Sequence, residues 1–172
     1  MSMRKGFILL VIVLLVSALN FAADRVTKNY AVENIKGEGT IKVVGYAFIM
    51  HYAENDGAFL GFGGSLPAPV KSVLLVLLPS FIVAAAIFYI AFSGNLPMSQ
   101  IISLSCVIGG GVGNLYDRIF NKGIVIDFLN FGIGSLRTGI LNVADLSITF
   151  GAIVFIILQI SAEKKKESSV SK

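Results

Sequence analysis

The chain has 172 residues, 55% of them hydrophobic and 14% charged, with a formal net charge of +4. Soluble domains carry about 25% charged residues, so a chain with a mean hydropathy of +0.83 is excluded from that class and takes the bilayer as its solvent. One cysteine, Cys106, and one histidine, His51, exclude an internal disulfide and leave no His/Cys cluster for zinc and no thiol–imidazole pair.

The length suits one helical membrane domain, 1–172, and not two. A helix needs about 20 apolar residues to cross a hydrocarbon core, and four stretches qualify. The first, 6–23, is uncharged after a basic start at Arg4 and Lys5. It reads as an uncleaved span, because the run is longer than a signal-peptide core and a cut after Ala23 would leave Phe21 at the −3 position. The segment 24–71 is too long for a turn. Within it, Thr40-Ile-Lys-Val-Val-Gly-Tyr-Ala-Phe-Ile-Met-His-Tyr52 is rich in β-branched and aromatic residues and reads as one or two strands. Asn55-Asp56-Gly57 is a turn signal, and Gly61-Phe-Gly-Gly-Ser-Leu-Pro67 leads into the second span, 72–92, which carries Pro79. The short polar link Ser93-Gly-Asn-Leu-Pro97 makes the second and third spans antiparallel neighbours. The third, 98–115, is the least apolar, with several glycines and serines. A second outer segment, 116–138, begins with Asp117-Arg118 and contains Asp127. The fourth span, 139–162, has Asp145 near its start, and the Ser/Lys-rich tail 163–172 reads as disordered. The expected fold is thus an all-α polytopic membrane protein, four transmembrane helices with a small extracytoplasmic β-sheet and loop region.

Charge sets the orientation. The termini carry Arg4, Lys5, Lys164, Lys165, Lys166 and Lys172 against Glu163 and Glu167, six minus two, which is the whole +4 of the chain. Positive charge marks the cytoplasmic side. Both ends are expected inside and both long segments outside. The basic tail reads as an anchor beside anionic lipid, with no nucleic-acid role.

The polar residues that do not belong in lipid gather at the outer ends of the spans. Asp24 and Lys28 follow the first, Asn114, Asp117 and Arg118 close the third, and Asn142 and Asp145 open the fourth. Asn142 and Asp145 are three apart and share a helix face, as do Asn114 and Asp117 if still helical. The glycine run Gly109-Gly-Gly-Val-Gly113 lacks the Lys-Ser/Thr continuation of a phosphate loop and reads as close helix packing. An ionisable group at membrane depth costs several kcal/mol unless it is paired or faces water. Asp127 and Asp145, in apolar surroundings, suggest an acid/base pair for proteolysis. The alternative is structural pairing with Lys28, Arg118 or Arg137, and spacing does not decide between them.

Five motifs in order then carry a resemblance over nearly the full length: Asp24-Arg-Val-Thr-Lys28, Asn55-Asp-Gly-Ala-Phe59, Gly110-Gly-Val-Gly-Asn-Leu-Tyr-Asp-Arg118, Gly123-Ile-Val-Ile-Asp-Phe128 and Asn142-Val-Ala-Asp145. The chain resembles signal peptidase II, the bacterial lipoprotein signal peptidases. The resemblance implies a membrane aspartyl endopeptidase that removes signal peptides from prolipoproteins, cutting before a cysteine that bears diacylglyceryl. It implies Asp127 and Asp145 as the catalytic pair, Asp24, Lys28, Asn55, Asn114, Arg118 and Asn142 as residues that line and support the site, and Asp117 as structural. It implies no metal or organic cofactor. The expected partners are prolipoprotein signal peptides and membrane lipids, and the chain is expected as a monomer in the bacterial cytoplasmic (inner) membrane with its active site near the extracytoplasmic face. Two departures from the family pattern, Ser135-Leu-Arg-Thr-Gly-Ile-Leu-Asn142 without an aromatic–proline pair and a longer Phe120-Asn-Lys-Gly123 link, fall in the outer loop. Apart from the resemblance, intramembrane aspartates also suit a proton-coupled carrier, and a polar layer suits a non-catalytic assembly protein.

Overall fold

The computed structural model describes residues 3–57 and 66–170, with the side chains of a few terminal and loop residues outside the description. The Ala58-Phe59 end of the second motif and most of the glycine-rich lead, residues 61–65, lie outside the described residues. In chain order the elements are α1 (Met3–Asn34), β1 (Thr40–Val44), β2 (Phe48–Asn55), α2 (Ala68–Ser72), a π turn (Val73–Leu77), α3 (Leu78–Phe92), α4 (Met98–Phe120), β3 (Val125–Ile133), β4 (Leu136–Arg137) and α5 (Val143–Val170). Among the described residues, four helices are long and apolar enough to cross a membrane: Lys5–Asn34, Pro69–Phe92, Met98–Phe120 and Val143–Lys164.

The helix ends differ from the sequence expectation, for physical reasons. α1 does not stop at Ala23 but runs to Asn34, so Asp24 and Lys28 lie within it, one turn apart, and pair with each other at 2.9 Å. α4 continues past Leu115 to Phe120, which keeps Asp117 and Arg118 on the same helix as Asn114. α5 begins at Val143, not Gly139. Leu141 is extended and bridges Leu129 of β3. The tail from Glu163 is helical to Val170 rather than disordered, consistent with its glutamates and lysines, which are good helix formers.

The least apolar span is the one surrounded by the others. In α4, 67% of the span window is buried inside the protein, against 0% in α1, 6% in the second span and 11% in α5. It faces helices rather than lipid, and its glycines let those helices approach. A Cβ on Gly109 would stand 2.6 Å from the Ser17 carbonyl oxygen of α1, on Gly110 2.5 Å from that of Ala144 in α5, and on Gly111 2.6 Å from the Val83 side chain of α3. Three successive residues, each turned about 100° along a helix of 3.6 residues per turn, thus meet three different neighbours. Gly110→Ala is expected to force α5 off α4, since backbone is what it would meet. Overpacking of this kind costs about 1–3 kcal/mol, read as a lowered unfolding midpoint in detergent.

The extramembrane part is a four-stranded antiparallel sheet in the order β1-β2-β3-β4. Its inner face packs on the projecting end of α1, where Ala31, Ile35, Phe128, Leu129 and Leu141 form a buried core. That explains the length of α1: its last turns are a post for the sheet. The π turn precedes Pro79, which has no N–H to give the carbonyl four residues back; a widened turn is one way a helix accommodates that loss.

Candidate active site

The carboxylate pair is assembled by three elements. β3 carries Asp127, paired in register with Ala53 of β2, beyond an irregularity between Met50 and Ala53. Such irregularities re-aim side chains near functional sites. Asp145 lies in the first turn of α5, where the helix dipole favours an anion. Asn142, just before α5, and Asp145 satisfy each other. The Asn142 N–H donates to Asp145 Oδ2 at 3.0 Å, and the Asp145 N–H donates to Asn142 Oδ1 at 2.9 Å. This is a capping box built from Asn and Asp.

Asn142 joins the two carboxylates. Its Nδ2 donates to Asp127 Oδ1 at 2.6 Å while its backbone N–H holds Asp145. Asn55 Nδ2 donates to the other oxygen of Asp127 at 2.8 Å, and Asn114 Nδ2 donates to Asp145 Oδ1 at 2.8 Å. The Asn114 amide has no freedom to flip, because its Oδ1 already accepts from Lys28 Nζ at 2.9 Å and from Asn142 Nδ2 at 3.2 Å.

The cations are engaged elsewhere. Lys28 Nζ lies 2.9 Å from Asp24 and 2.8 Å from Asp117. Arg118 donates to the carbonyl oxygens of Asn55, Gly57 and Gly123, which ties the ends of β2 and β3 together and secures the longer Phe120–Gly123 link. Arg137 donates to Asn130 and to the Tyr46 carbonyl. Among the described residues no cation lies within salt-bridge distance of Asp127 or Asp145. The structural-pairing alternative for these two aspartates is therefore not what the fold adopts.

Both carboxylates line one cavity of about 190 Å³, with Asn55, Asn114 and Arg118 as its polar wall and Leu74, Leu75, Pro79, Val125, Ile140 and Leu141 as its apolar wall. Of the residues singled out in the sequence, Asn55, Asn114, Arg118, Asp127 and Asp145 reach this cavity, and Asn142 stands directly behind the pair. Asp24 and Lys28 do not line it. Asp24 accepts from the Ala144 N–H at 3.1 Å and so fixes the start of α5, while Lys28 acts through Asn114. Sequence reasoning missed Arg25, which bonds both Asp24 and Asp117 and lies over the Phe21 and Tyr116 rings. Its position inside the first motif was the available signal.

Burial pushes the Asp127 carboxyl up to about 6, helped by the negative charge of Asp145 and opposed by the Asn55 and Asn142 hydrogen bonds. A raised carboxyl binds more protons folded than unfolded, so stability falls as pH rises from the unfolded value near 4 to about 6 and is level above. Asp127→Asn removes that dependence. Its unfolding midpoint is expected to gain on wild type across this window and to hold the difference at higher pH, as read by thermal melts in detergent.

A carboxylate pair, with Asp127 buried and Asp145 partly buried, at one end of a four-span bundle marks a polytopic membrane protein. The family model for signal peptidase (SPase) II matches residues 16–161, and the chain belongs to that family. It is a multi-pass membrane peptidase. The lipoprotein signal peptidase of Clostridium acetobutylicum is 32% identical over 91% of this chain and 99% of its own length. That of a Sulfurihydrogenibium species is 35% identical over 88% and 92%. A solved bacterial membrane enzyme superposes with a TM-score of 0.78 over 90% of each chain at 24% identity, a likeness of fold. Membership of a peptidase family sets aside the carrier and assembly-protein alternatives.

Proposed function

We propose that the protein is an aspartic endopeptidase that removes signal peptides from prolipoproteins, cutting before a cysteine that already bears diacylglyceryl. The supporting observation is the joining of Asp127 and Asp145 through Asn142 in one cavity, with the neighbouring cations bonded elsewhere. The names of the relatives supply the substrate class.

Near the pair stand four carboxylates, Asp24, Asp117, Asp127 and Asp145, and three cations, Arg25, Lys28 and Arg118. Four minus three leaves one negative charge, and one proton shared by the pair makes the group neutral. Like charges this close do not both ionise readily. In the reaction the ionised carboxylate takes a proton from water, whose oxygen attacks the scissile carbonyl carbon, while the protonated carboxyl hydrogen-bonds the carbonyl oxygen. Collapse of the tetrahedral intermediate breaks the C–N bond. The nitrogen leaves with a proton as the new amino terminus of the cysteine, and the signal peptide leaves with a carboxyl terminus. Asn55, Asn114 and Asn142 hold the carboxylates in place, so little reorganisation is needed as charge develops.

The basic termini support a reading with both chain ends in the cytoplasm and with the sheet and the pair on the extracytoplasmic side of the bacterial inner membrane. A cysteine carrying two acyl chains is held at that interface, close to the cavity. The test is incubation of the purified protein with a diacylglyceryl-modified precursor and with its unmodified twin. Release of the signal peptide from the modified precursor alone is expected. Cleavage of neither, under conditions where the protein is folded, refutes the assignment.

A further inference from the structure

We propose that the far end of the sheet is a second, lipid-binding contact. There the β1–β2 turn and the β3–β4 hairpin insert apolar side chains into the headgroup region of the leaflet on the sheet-bearing side. The sheet has two ends. At one, Asn55 pairs with Val125 beside the carboxylates; at the other, Phe48 pairs with Phe131. These two pairs are six residues apart along β3, so at about 3.3 Å per residue the ends are roughly 20 Å apart.

At the far end the two turns lie side by side. The Gly132 N–H donates to the Ala47 carbonyl at 2.9 Å, Arg137 Nη1 donates to the Tyr46 carbonyl at 2.7 Å, and the Phe48 and Phe131 rings stack at 4.8 Å. Together they present Val44, Tyr46, Ile133 and Leu136, which are 62%, 66%, 85% and 82% exposed. The sheet has an apolar core on its inner face, so these tip residues are surplus to folding. Clustered exposed apolar side chains mark a contact surface.

Charge selects lipid as the occupant. Residues 39–53 and 128–144 contain no acidic side chain. The cations at the tip are Lys42, whose ammonium lies 4.0 Å over the Tyr46 ring, and Arg137. An aliphatic cluster with one tyrosine and a basic rim matches the chemistry of an anionic membrane surface, acyl chains below and phosphates above. The patch belongs to a sheet mounted on α1, whose Val26 and Tyr30 are themselves exposed apolar side chains at the same end of the bundle. Two contacts, the bundle and the tip, would hold the strand bearing Asp127 level with the interface.

The chain has no tryptophan, so Leu136→Trp creates a sole reporter. In vesicles of phosphatidylethanolamine and phosphatidylglycerol, its emission is expected to shift to the blue and to lose intensity when acyl-brominated phospholipid is included. Glu38→Trp, exposed between α1 and β1, is expected to do neither. Ile133→Trp repeats the reading should Leu136→Trp fail to fold. An emission at the water-exposed wavelength overturns the proposal. So does a blue shift without bromolipid quenching, which would mean that a second copy or another protein covers the tip. The readout is independent of cleavage, so it stands or falls apart from the proposed activity.

Discussion

Asp145→Asn and Asp127→Asn are each expected to abolish measurable cleavage of a lipid-modified precursor while leaving the protein folded in the membrane. Proton transfer by a positioned group contributes roughly 10²–10⁴-fold to a rate, and in the proposed reaction each of these substitutions removes one of the two groups that exchange a proton. Asparagine keeps the shape and can still accept at its carbonyl oxygen. In the Asp145→Asn variant the Asn142 N–H still has an acceptor, and the capping box survives in outline. The losses are expected to be similar for either variant and far from additive in the double variant, because a dyad acts as a unit. The comparison is made by single-turnover cleavage beside thermal melts. Cleavage at wild-type rate by either folded variant removes that residue from the chemistry.

The sequence made some of this legible and hid the rest for identifiable reasons. Four spans followed from apolar length alone, and the strands of 40–52 followed from β-branched and aromatic content. The residues around the carboxylates could be named because they lie in short ordered motifs. Helix ends were misjudged because the end of an apolar run is not the end of a helix. Asp24 and Lys28 ended the run at Ala23, yet both are neutralised within the bundle, Asp24 by Lys28 and Arg25 and Lys28 by Asp24 and Asp117, and the helix passes through them. The error was reversed at Gly139. Ile140 and Leu141 are apolar, but they are extended because Leu141 completes a bridge to Leu129. β3 gave no alternating pattern, since five of its first six residues are buried, and a strand covered on both faces reads as a continuous apolar run. Arg25 was invisible as a structural hub because its second partner, Asp117, is on another helix.

Lys28→Met is expected to be the most destabilising single change outside the carboxylate pair. Lys28 is 1% exposed, beside Asp24 at 0% and Asp117 at 2%. A methionine fills most of the volume but leaves those two carboxylates with Arg25 alone. Removing one partner of a buried ionic cluster costs about 3–5 kcal/mol. Two further consequences separate this from ordinary core damage. The Asn114 amide loses the donor that fixes its orientation, so Asp145 loses a reliable hydrogen bond and cleavage falls even below the unfolding temperature. Asp117→Asn added to Lys28→Met is expected to recover much of the stability, because one uncompensated charge goes, yet little of the activity, because Asn114 remains free to flip. Melting midpoints and cleavage rates on the single and double variants check both. If the double variant restored stability and cleavage together, Lys28 would matter only for charge balance and the link through Asn114 would be wrong.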